Sequence, residues 1–353
     1  MRAAAVAFLA LLSIPLLAGC ASDDRSLRIA FSAPDEALAP PQRPARLADA
    51  LTELTNRTTR VYEVTESDLL VQSVAAGQAD AAFVDTASGW YGWKWLGIDV
   101  AAATLEIDGR PYYVASAWVL NGSAYHSMAD LRGARSCHTG LLTSEGTFMP
   151  LAWMLDEGLV SKAGHPDEIA SIEPIFAAFF TGGARIPHNE ADPYGNYQGA
   201  LRCLSEGLGD VAFVKDTTPA TYCGPGNAAR PAWCKDLGEY RRLQGFGEVP
   251  SHPLIVSPHL LPEKRQDLVR GLLALNATPE GRQLLQSVLG TTGLVAVPSD
   301  QAYLGHFAEQ LAKVPGVSCQ ECGKAFVQSE KNEGESSESE TAKASAPAGS
   351  AAS

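Results

Sequence analysis

The chain has 353 residues, of which 46% are hydrophobic and 19% are charged, and its formal net charge is −13. This length allows one large hydrophobic core or two cores of moderate size. The acidic balance argues against nucleic acid as a partner, because a phosphate backbone is bound by clusters of lysine and arginine and the sequence contains none.

The N-terminus has the features of an export signal. One arginine precedes an apolar run over residues 3–17, and Leu-Ala-Gly-Cys follows, ending at Cys20. The run is too short to span a membrane, so residues 1–19 are predicted to be a secretory signal peptide. The ending resembles a bacterial lipobox, which implies cleavage before Cys20, lipid on its sulfur and a short lipidated linker over 20–26. The alternative is a plain signal peptide with a chance cysteine. The prediction is an exported protein anchored by lipid, on the periplasmic side or at the cell surface.

Beyond the linker, predicted strands alternate with predicted helices. Apolar runs bounded by turn residues predict strands over 27–33, 60–65, 79–85, 100–107, 112–120, 171–179, 210–215 and 254–257. Helical apolar spacing predicts helices over 46–56, 67–77, 128–135, 149–158, 196–207, 262–275, 279–289 and 301–314. Alternation of this kind indicates an α/β protein with parallel sheets. The Glu/Ser/Ala-rich composition of residues 327–353 predicts a disordered acidic tail.

One pattern occurs twice in the chain. A helix ends at a glycine, an acidic residue follows, and an apolar strand then ends in a polar side chain, in Ser73–Asp85 and again in Leu204–Asp216. Two such units suggest two similar domains. Each unit would place a polar residue at the carboxyl end of a strand, where ligands bind in open α/β sheets.

Residues 136–148, with the sequence Ser-Cys-His-Thr-Gly-Leu-Leu-Thr-Ser-Glu-Gly-Thr-Phe, predict a strand that enters a Thr/Ser/Gly turn and then a helix. Backbone N–H groups at a helix N-terminus are unpaired, and the helix dipole adds positive potential, so this turn suits a small anion. The alternative is an ordinary capped helix.

Apart from Cys20, the cysteines are even in number. They suit three disulfides in an oxidising compartment, although sequence alone leaves many connectivities open. The six are Cys137, Cys203, Cys223, Cys234, Cys319 and Cys322. Zinc is a rival interpretation of the Cys-Gln-Glu-Cys pair at 319–322, but neither a second such pair nor a paired histidine stands nearby.

Three stretches resemble the transferrin family. They are residues 199–218, residues 131–140 (Leu-Arg-Gly-Ala-Arg-Ser-Cys-His-Thr-Gly) and Val249–His252. The resemblance extends over residues 27–289, the length of a single transferrin lobe. It implies a two-domain, periplasmic-binding-protein-like (type 2) α/β fold with mixed, mostly parallel sheets and a ligand cleft between the domains. Domain 1 would comprise 27–112 plus 252–326, and domain 2 would comprise 113–251.

The resemblance also implies a ferric-iron site. Four positions match the family's metal ligands by their sequence contexts: Asp85, Tyr112, Tyr197 and His252. Carboxylate and phenolate oxygens suit a hard cation such as ferric iron. Taken singly, the aspartate is more commonly a turn or cap residue, the tyrosines core or rim residues, and the histidine a surface residue.

A synergistic carbonate or bicarbonate would complete this site on the predicted anion turn. The residues assigned to the anion are Thr139, Thr143, Ser144, Glu145 and Gly146. His138 is predicted to be structural, because strand alternation directs it away from Thr139.

The sequence departs from the family at Thr143, where many transferrins have an arginine beside the anion. Without that charge-assisted hydrogen bond the site would be net negative. Another cation, Arg185 or Lys215, would then have to help, or affinity would be lower, or phosphate or another oxyanion would replace carbonate. The turn Thr143–Gly146 also resembles the Ser/Thr-rich turns of phosphonate-binding proteins. This gives a second hypothesis, the metal-free oxyanion-binding component of an ABC importer, in which Tyr112 and His252 would be dispensable.

The resemblance further implies that Cys137 pairs with Cys203, and the remaining cysteines then pair as Cys223–Cys234 and Cys319–Cys322. The predicted function is reversible iron binding for uptake by a monomer that passes iron to an ABC importer or an outer-membrane transporter. No nucleophile, triad or paired-carboxylate motif stands out, so catalysis is not expected.

Overall fold

The computed structural model describes residues 26–31, 43–64, 67–188, 192–227 and 229–317. The signal peptide, Cys20 and the predicted linker as far as residue 25 lie outside the described residues, and so do the Cys319–Cys322 pair and the acidic tail. Within the described ranges, no helix is both long enough and apolar enough to cross a membrane.

Eleven strands are described, in two sheets. In chain order they are β1 (Ser26–Phe31), β2 (Thr58–Glu63), β3 (Ala81–Phe83), β4 (Asp99–Thr104), β5 (Tyr112–Leu120), β6 (Arg135–His138), β7 (Gly183–Arg185), β8 (Val211–Lys215), β9 (Tyr240–Pro250), β10 (Pro253–Val256) and β11 (Leu294–Ala296). The first sheet has the order β11-β4-β10-β3-β1-β2, and the second has the order β7-β6-β8-β5-β9.

Ten α-helices accompany these strands in the ranges given above. They are α1 (Arg43–Thr55), α2 (Ser67–Ala75), α3 (Thr86–Leu96), α4 (Met149–Asp156), α5 (Ile172–Phe179), α6 (Asn196–Ser205), α7 (Thr218–Cys223), α8 (Pro262–Ala274), α9 (Pro279–Leu289) and α10 (Asp300–Leu311). Their buried residues recur at helical spacing, as in α9, where Leu284, Leu285 and Val288 enter the core on one face of the first sheet.

Both sheets are mixed, and the predicted fold class is confirmed. In each sheet a parallel group (β2-β1-β3 and β7-β6-β8) is joined by antiparallel strands. The description of the sheets as mostly parallel was wrong, because antiparallel pairings slightly outnumber parallel ones among the described strands. The reason is that β5, β9, β10 and β11 run against their neighbours.

The repeated sequence pattern corresponds to a repeated structural unit. In the first sheet, Asp80 accepts hydrogen bonds from the backbone N–H of Arg28 at 2.8 Å and from its guanidinium. In the second sheet, Asp210 makes the same contacts with Arg135, again at 2.8 Å to the backbone nitrogen. In both units the aspartate precedes a buried strand and binds the neighbouring parallel strand, so it sets the pairing register of the two strands.

The chain passes between the sheets at two adjacent places. Residues 105–111 connect β4 to β5, while Ser251 and His252 connect β9 to β10. The two crossings touch, because the Ser251 N–H donates to the Pro111 carbonyl at 2.9 Å. The helix α10 also packs against α3, α4 and β9 beside these crossings, and the Tyr303 hydroxyl donates to the Ser251 carbonyl at 2.5 Å.

Two of the predicted disulfides are confirmed. Cys137 of β6 is bonded to Cys203 of α6, and Cys223 of α7 is bonded to Cys234. The first closes a loop with a sequence separation of 66 residues and the second one of 11 residues. Because a longer closed loop removes more entropy from the unfolded chain, the first should stabilise the protein more, by about 4 kcal/mol against about 3 kcal/mol.

Two local predictions were wrong. Residues 171–179 form a helix, α5, instead of a strand, and their buried residues Ile172, Ile175, Phe176 and Phe179 follow helical spacing. The short apolar run was ambiguous, and its spacing was misread. Residues 128–135 contain only a 3₁₀ turn at Ala129–Leu131 before β6 begins.

Candidate functional site

The predicted anion turn is a tightly closed segment between β6 and α4. Residues Ser144–Phe148 form one π-helical turn that continues directly into α4. The hydroxyls of Thr143 and Thr147 both donate to the Gly140 carbonyl, at 2.8 and 2.7 Å. These bonds fix the start of the turn, whose first N–H groups have no acceptor within the helix.

Gly146 is required by the close approach of this turn to Thr139. A Cβ atom at Gly146 would lie 2.1 Å from Thr139 Oγ1 and 2.8 Å from the Thr139 backbone nitrogen. Any larger residue would therefore push the turn away from the Thr139 hydroxyl.

His138 supports the turn from inside the core, which confirms its predicted structural role. Its ring is fully buried against Phe176 and Phe213, with Nε2 2.8 Å from Ser136 Oγ and Nδ1 2.7 Å from the Gly146 carbonyl. A carbonyl can only accept, so Nδ1 carries the proton and Nε2 of the neutral ring accepts from Ser136. Burial lowers the pKa of His138 from 6.5 to about 4.

The buried neutral state of His138 predicts acid destabilisation. The unfolded protein binds this proton near pH 6.5 and the folded protein only near 4, so the stability contribution is complete above 6.5 and is lost as pH falls toward 4. Between pH 7 and pH 5 we expect His138 to cost about 2 kcal/mol. Urea unfolding at both pH values should show that loss in the wild type and a smaller loss in His138→Gln. Equal losses in the two proteins would contradict the assignment.

Glu145 places its carboxylate, as well as its backbone, in the site. The side chain is only 4% exposed. Thr139 Oγ1 donates to Glu145 Oε1 at 2.9 Å, and the Tyr113 hydroxyl donates to Oε2 at 2.8 Å. The pKa of Tyr113 is raised well above its usual value by burial and by the Glu145 charge. The sequence analysis assigned Glu145 to the anion and did not predict that its side chain would accept the Thr139 hydroxyl.

The N-terminus of α6 contacts Thr139, the residue that donates to Glu145. The Asn196 N–H donates to the Thr139 carbonyl at 2.8 Å, and Asn196 Oδ1 accepts from the Gly199 N–H at 2.9 Å. Asn196 has a positive φ of 59°, a conformation that asparagine tolerates better than most residues. This sharp entry into α6 places Tyr197 close to the Tyr113 hydroxyl.

A buried ammonium group lies between these tyrosines. Lys215, at the carboxyl end of β8, is 3% exposed. Its Nζ is 4.5 Å from the ring centre of Tyr113 and 4.8 Å from that of Tyr197. Aromatic faces stabilise a desolvated cation. Lys215 was one of two cations that the sequence offered to the anion site. The other, Arg185, stacks on Tyr194, with its guanidinium carbon 4.8 Å from the centre of the tyrosine ring.

The two segments that connect the sheets, residues 105–111 and 251–252, also approach Lys215. Lys215 Nζ is 3.4 Å from Glu106 Oε1, which also accepts from Ser251 Oγ at 2.9 Å. The neighbouring His252 has its pKa lowered to about 4, chiefly by burial and then by the Lys215 charge, with Glu106 opposing. Sequence reasoning missed Glu106 and Ser251, since nothing in their local pattern indicates that they approach a lysine distant in the chain.

The four predicted metal ligands occupy different positions around this cluster. Tyr197 and His252 both adjoin Lys215. Asp85 caps α3, where its carboxylate accepts from the Ser88 N–H at 2.9 Å and from Ser88 Oγ at 2.5 Å. Burial raises the pKa of Asp85.

Tyr112 packs on Tyr303 at 5.6 Å between ring centres, and strand alternation puts it on the opposite face of β5 from Tyr113. The two tyrosines that contact the Lys215 ammonium are thus Tyr197 and Tyr113, and Tyr112 is not one of them. The ligand set remains a prediction.

A family model described as the phosphonate periplasmic substrate-binding protein of an ABC transporter matches residues 41–303. The chain belongs to this family. Members are exported solute-binding proteins that serve ABC importers, and binding rather than catalysis is their role.

The curated proteins with similar sequences include several transferrins. The chain is 29% identical over 264 residues to a transferrin from Blaberus discoidalis, covering 56% of this chain and 36% of that one. It is 28% identical over 288 residues to the lactotransferrin of Desmodus rotundus, covering 67% and 39%. It is 34% identical over 172 residues to the ovotransferrin of Gallus gallus, covering 42% and 24%. The chain therefore spans well under half the length of these relatives.

Two solved structures share the fold at low sequence identity. A Xanthomonas citri protein with bound chloride has a TM-score of 0.59 and 17% identity, covering 83% of this chain and 99% of that one. The binding-protein component of an ABC phosphonate transporter from Pseudomonas aeruginosa has a TM-score of 0.57 and 12% identity, covering 91% and 99%. These similarities show the fold alone.

Proposed function

We propose that this protein binds a small oxyanion of the phosphate or phosphonate class for an ABC importer. The observation that carries the proposal is the buried ammonium of Lys215, which lies between two tyrosine rings beside the anion turn. A buried cation requires a negative partner. Glu106 supplies one at 3.4 Å, and an oxyanion would supply a second.

The neighbouring groups suit the same ligand. Hydroxyls of Thr139 and Tyr113 converge on the two oxygens of the Glu145 carboxylate, at the start of the Ser144–Phe148 turn. The N–H groups of that first turn carry the positive end of the α4 dipole. Hydroxyl donors, backbone donors and a single ammonium recognise tetrahedral oxyanions through charge-assisted hydrogen bonds.

Ferric iron is the second candidate, and similarity to transferrins favours it. Tyr197 and His252, two of the four predicted ligands, lie beside the same cluster. The cost is electrostatic, because a ferric ion there would face the Lys215 ammonium at close range in a poorly solvated site. This is why the oxyanion is preferred. Carbonate as a synergistic anion belongs to this second candidate, and so do Asp85 and Tyr112 as ligands.

We further propose that Cys20 carries the lipid that holds the protein at the membrane, on the lipobox resemblance of residues 17–20. A monomer with a tethered N-terminus would present its cleft to a membrane importer.

Calorimetric titration with inorganic phosphate and with methylphosphonate tests the oxyanion directly. We expect saturable binding of one equivalent, and no charge-transfer band when ferric ion and bicarbonate are added instead. A band that disappears in Tyr197→Phe but persists in the exposed control Tyr62→Phe, with no heat from either oxyanion, would replace the oxyanion with iron.

A further inference from the structure

The Glu145 carboxylate occupies the place where an oxyanion would be held. It is 4% exposed and accepts from Thr139 Oγ1 at 2.9 Å and from the Tyr113 hydroxyl at 2.8 Å. These donors come from two other elements, the segment after β6 and the strand β5. Both donors are neutral hydroxyls, and together they hold the two carboxylate oxygens in place.

The hydroxyl protons of Tyr113, Thr139 and Thr143 are each engaged in a hydrogen bond. Thr139 has one proton, which it shares between Glu145 and Thr143 Oγ1, 2.7 Å away. Thr143 donates to the Gly140 carbonyl at 2.8 Å. A hydroxyl donates only one hydrogen bond, so an incoming oxyanion can reach Thr139 and Tyr113 only by taking them from Glu145.

The negative charge of Glu145 adds to this competition. Two anions that share hydroxyl donors in a buried site repel one another strongly. The Glu145 side chain must therefore leave when a ligand enters. The Lys215 ammonium lies against the ring of Tyr113, and the hydroxyl of the same Tyr113 donates to Glu145. A cation is therefore close to the place that the Glu145 carboxylate and an oxyanion would compete for.

We propose that Glu145 is the specificity-determining residue of the site: its carboxylate is an internal occupant that an oxyanion must displace. This inference rests on the proposed function. It follows that weakly hydrogen-bonding, singly charged anions such as chloride are rejected, and that only an anion with several charged oxygens replaces the carboxylate.

The test compares the full chain with Glu145→Gln and with the control Glu157→Gln, an exposed glutamate at the end of α4, which follows the turn. Glutamine keeps the size of the side chain but removes its charge and brings an amide donor. We expect phosphate and methylphosphonate to bind at least 10-fold more tightly to Glu145→Gln and with unchanged affinity to Glu157→Gln. Glu145→Asp, whose shorter carboxylate cannot hold both hydroxyls, should bind more tightly than wild type by a smaller factor.

The outcomes separate this inference from the proposed function. Measurable binding that is equal or weaker in Glu145→Gln, with an unchanged melting temperature, overturns the role of Glu145 and leaves the oxyanion function in place. Binding by Glu145→Gln alone supports the role of Glu145 and overturns the native oxyanion function. Absence of binding in every protein overturns both. If Glu145→Gln does not fold, Glu145→Asp decides by the same criteria.

Discussion

Replacing Lys215 with methionine is expected to weaken phosphate and methylphosphonate binding by ~100-fold or more. Truncating one partner of a buried, hydrogen-bonded charge pair costs about 2–5 kcal/mol, because the other charge is left unpaired. Methionine preserves the length and apolar stem of the side chain, which pack on Tyr113 and Tyr197. Calorimetric titration of each oxyanion measures the loss.

Two further proteins show whether charge is the cause. The exposed Lys162→Met should bind like wild type. The double variant Lys215→Met with Glu106→Gln removes the unpaired Glu106 carboxylate, so it should recover thermal stability without recovering affinity. Undiminished binding by a folded Lys215→Met would remove the ammonium from the site and with it the main support for an oxyanion.

Gly146→Ala is expected to disrupt the anion turn itself. The added Cβ would come within 2.1 Å of Thr139 Oγ1 and 2.8 Å of the Thr139 nitrogen, which belongs to the backbone and cannot rotate away. Overpacking of this kind costs about 1–3 kcal/mol. We expect a lower melting temperature together with loss of oxyanion binding, measured on the same sample by thermal unfolding and calorimetry.

The matched control is Gly122→Ala, where a Cβ would meet nothing within 4 Å. This variant should be neutral in both measurements. If Gly146→Ala lowered stability yet bound phosphate with wild-type affinity, the turn would be a structural element and not part of the binding site.

Periodicity and caps predicted much of the fold. The helix α9 was predicted at its observed bounds, because Pro279 starts it and Gly290 ends it with a left-handed φ of 65°. The paired Asp80 and Asp210 units also followed from a repeated pattern. The long strand β9 was missed, since Gly245 and Gly247 interrupt its alternation and its place is set by pairing with β5.

The site was predictable where sequence contexts are local. Thr139, Gly146 and Tyr197 were identified from motifs, and the structure brings Thr139 and Gly146 into close approach. The side chain of Glu145 could not be assigned, because its partner Tyr113 lies on another strand. The sequence also could not show whether Tyr112 or Tyr113 lies beside Tyr197 and Lys215. That depends on which face of β5 is turned toward α6, and only the tertiary structure determines it.

The disulfide between Cys137 and Cys203 links the proposed oxyanion site to an oxidising compartment. It joins β6, which leads into Thr139, to α6, which carries Tyr197. Cysteines of a chain still in the cytosol are kept reduced, and the bond forms only after export. Before translocation the chain would therefore hold these two elements less firmly, in a compartment rich in phosphate compounds. We expect the oxidised protein to bind phosphate and the reduced chain to bind it poorly, so that the protein does not arrive at its importer already carrying cytosolic cargo.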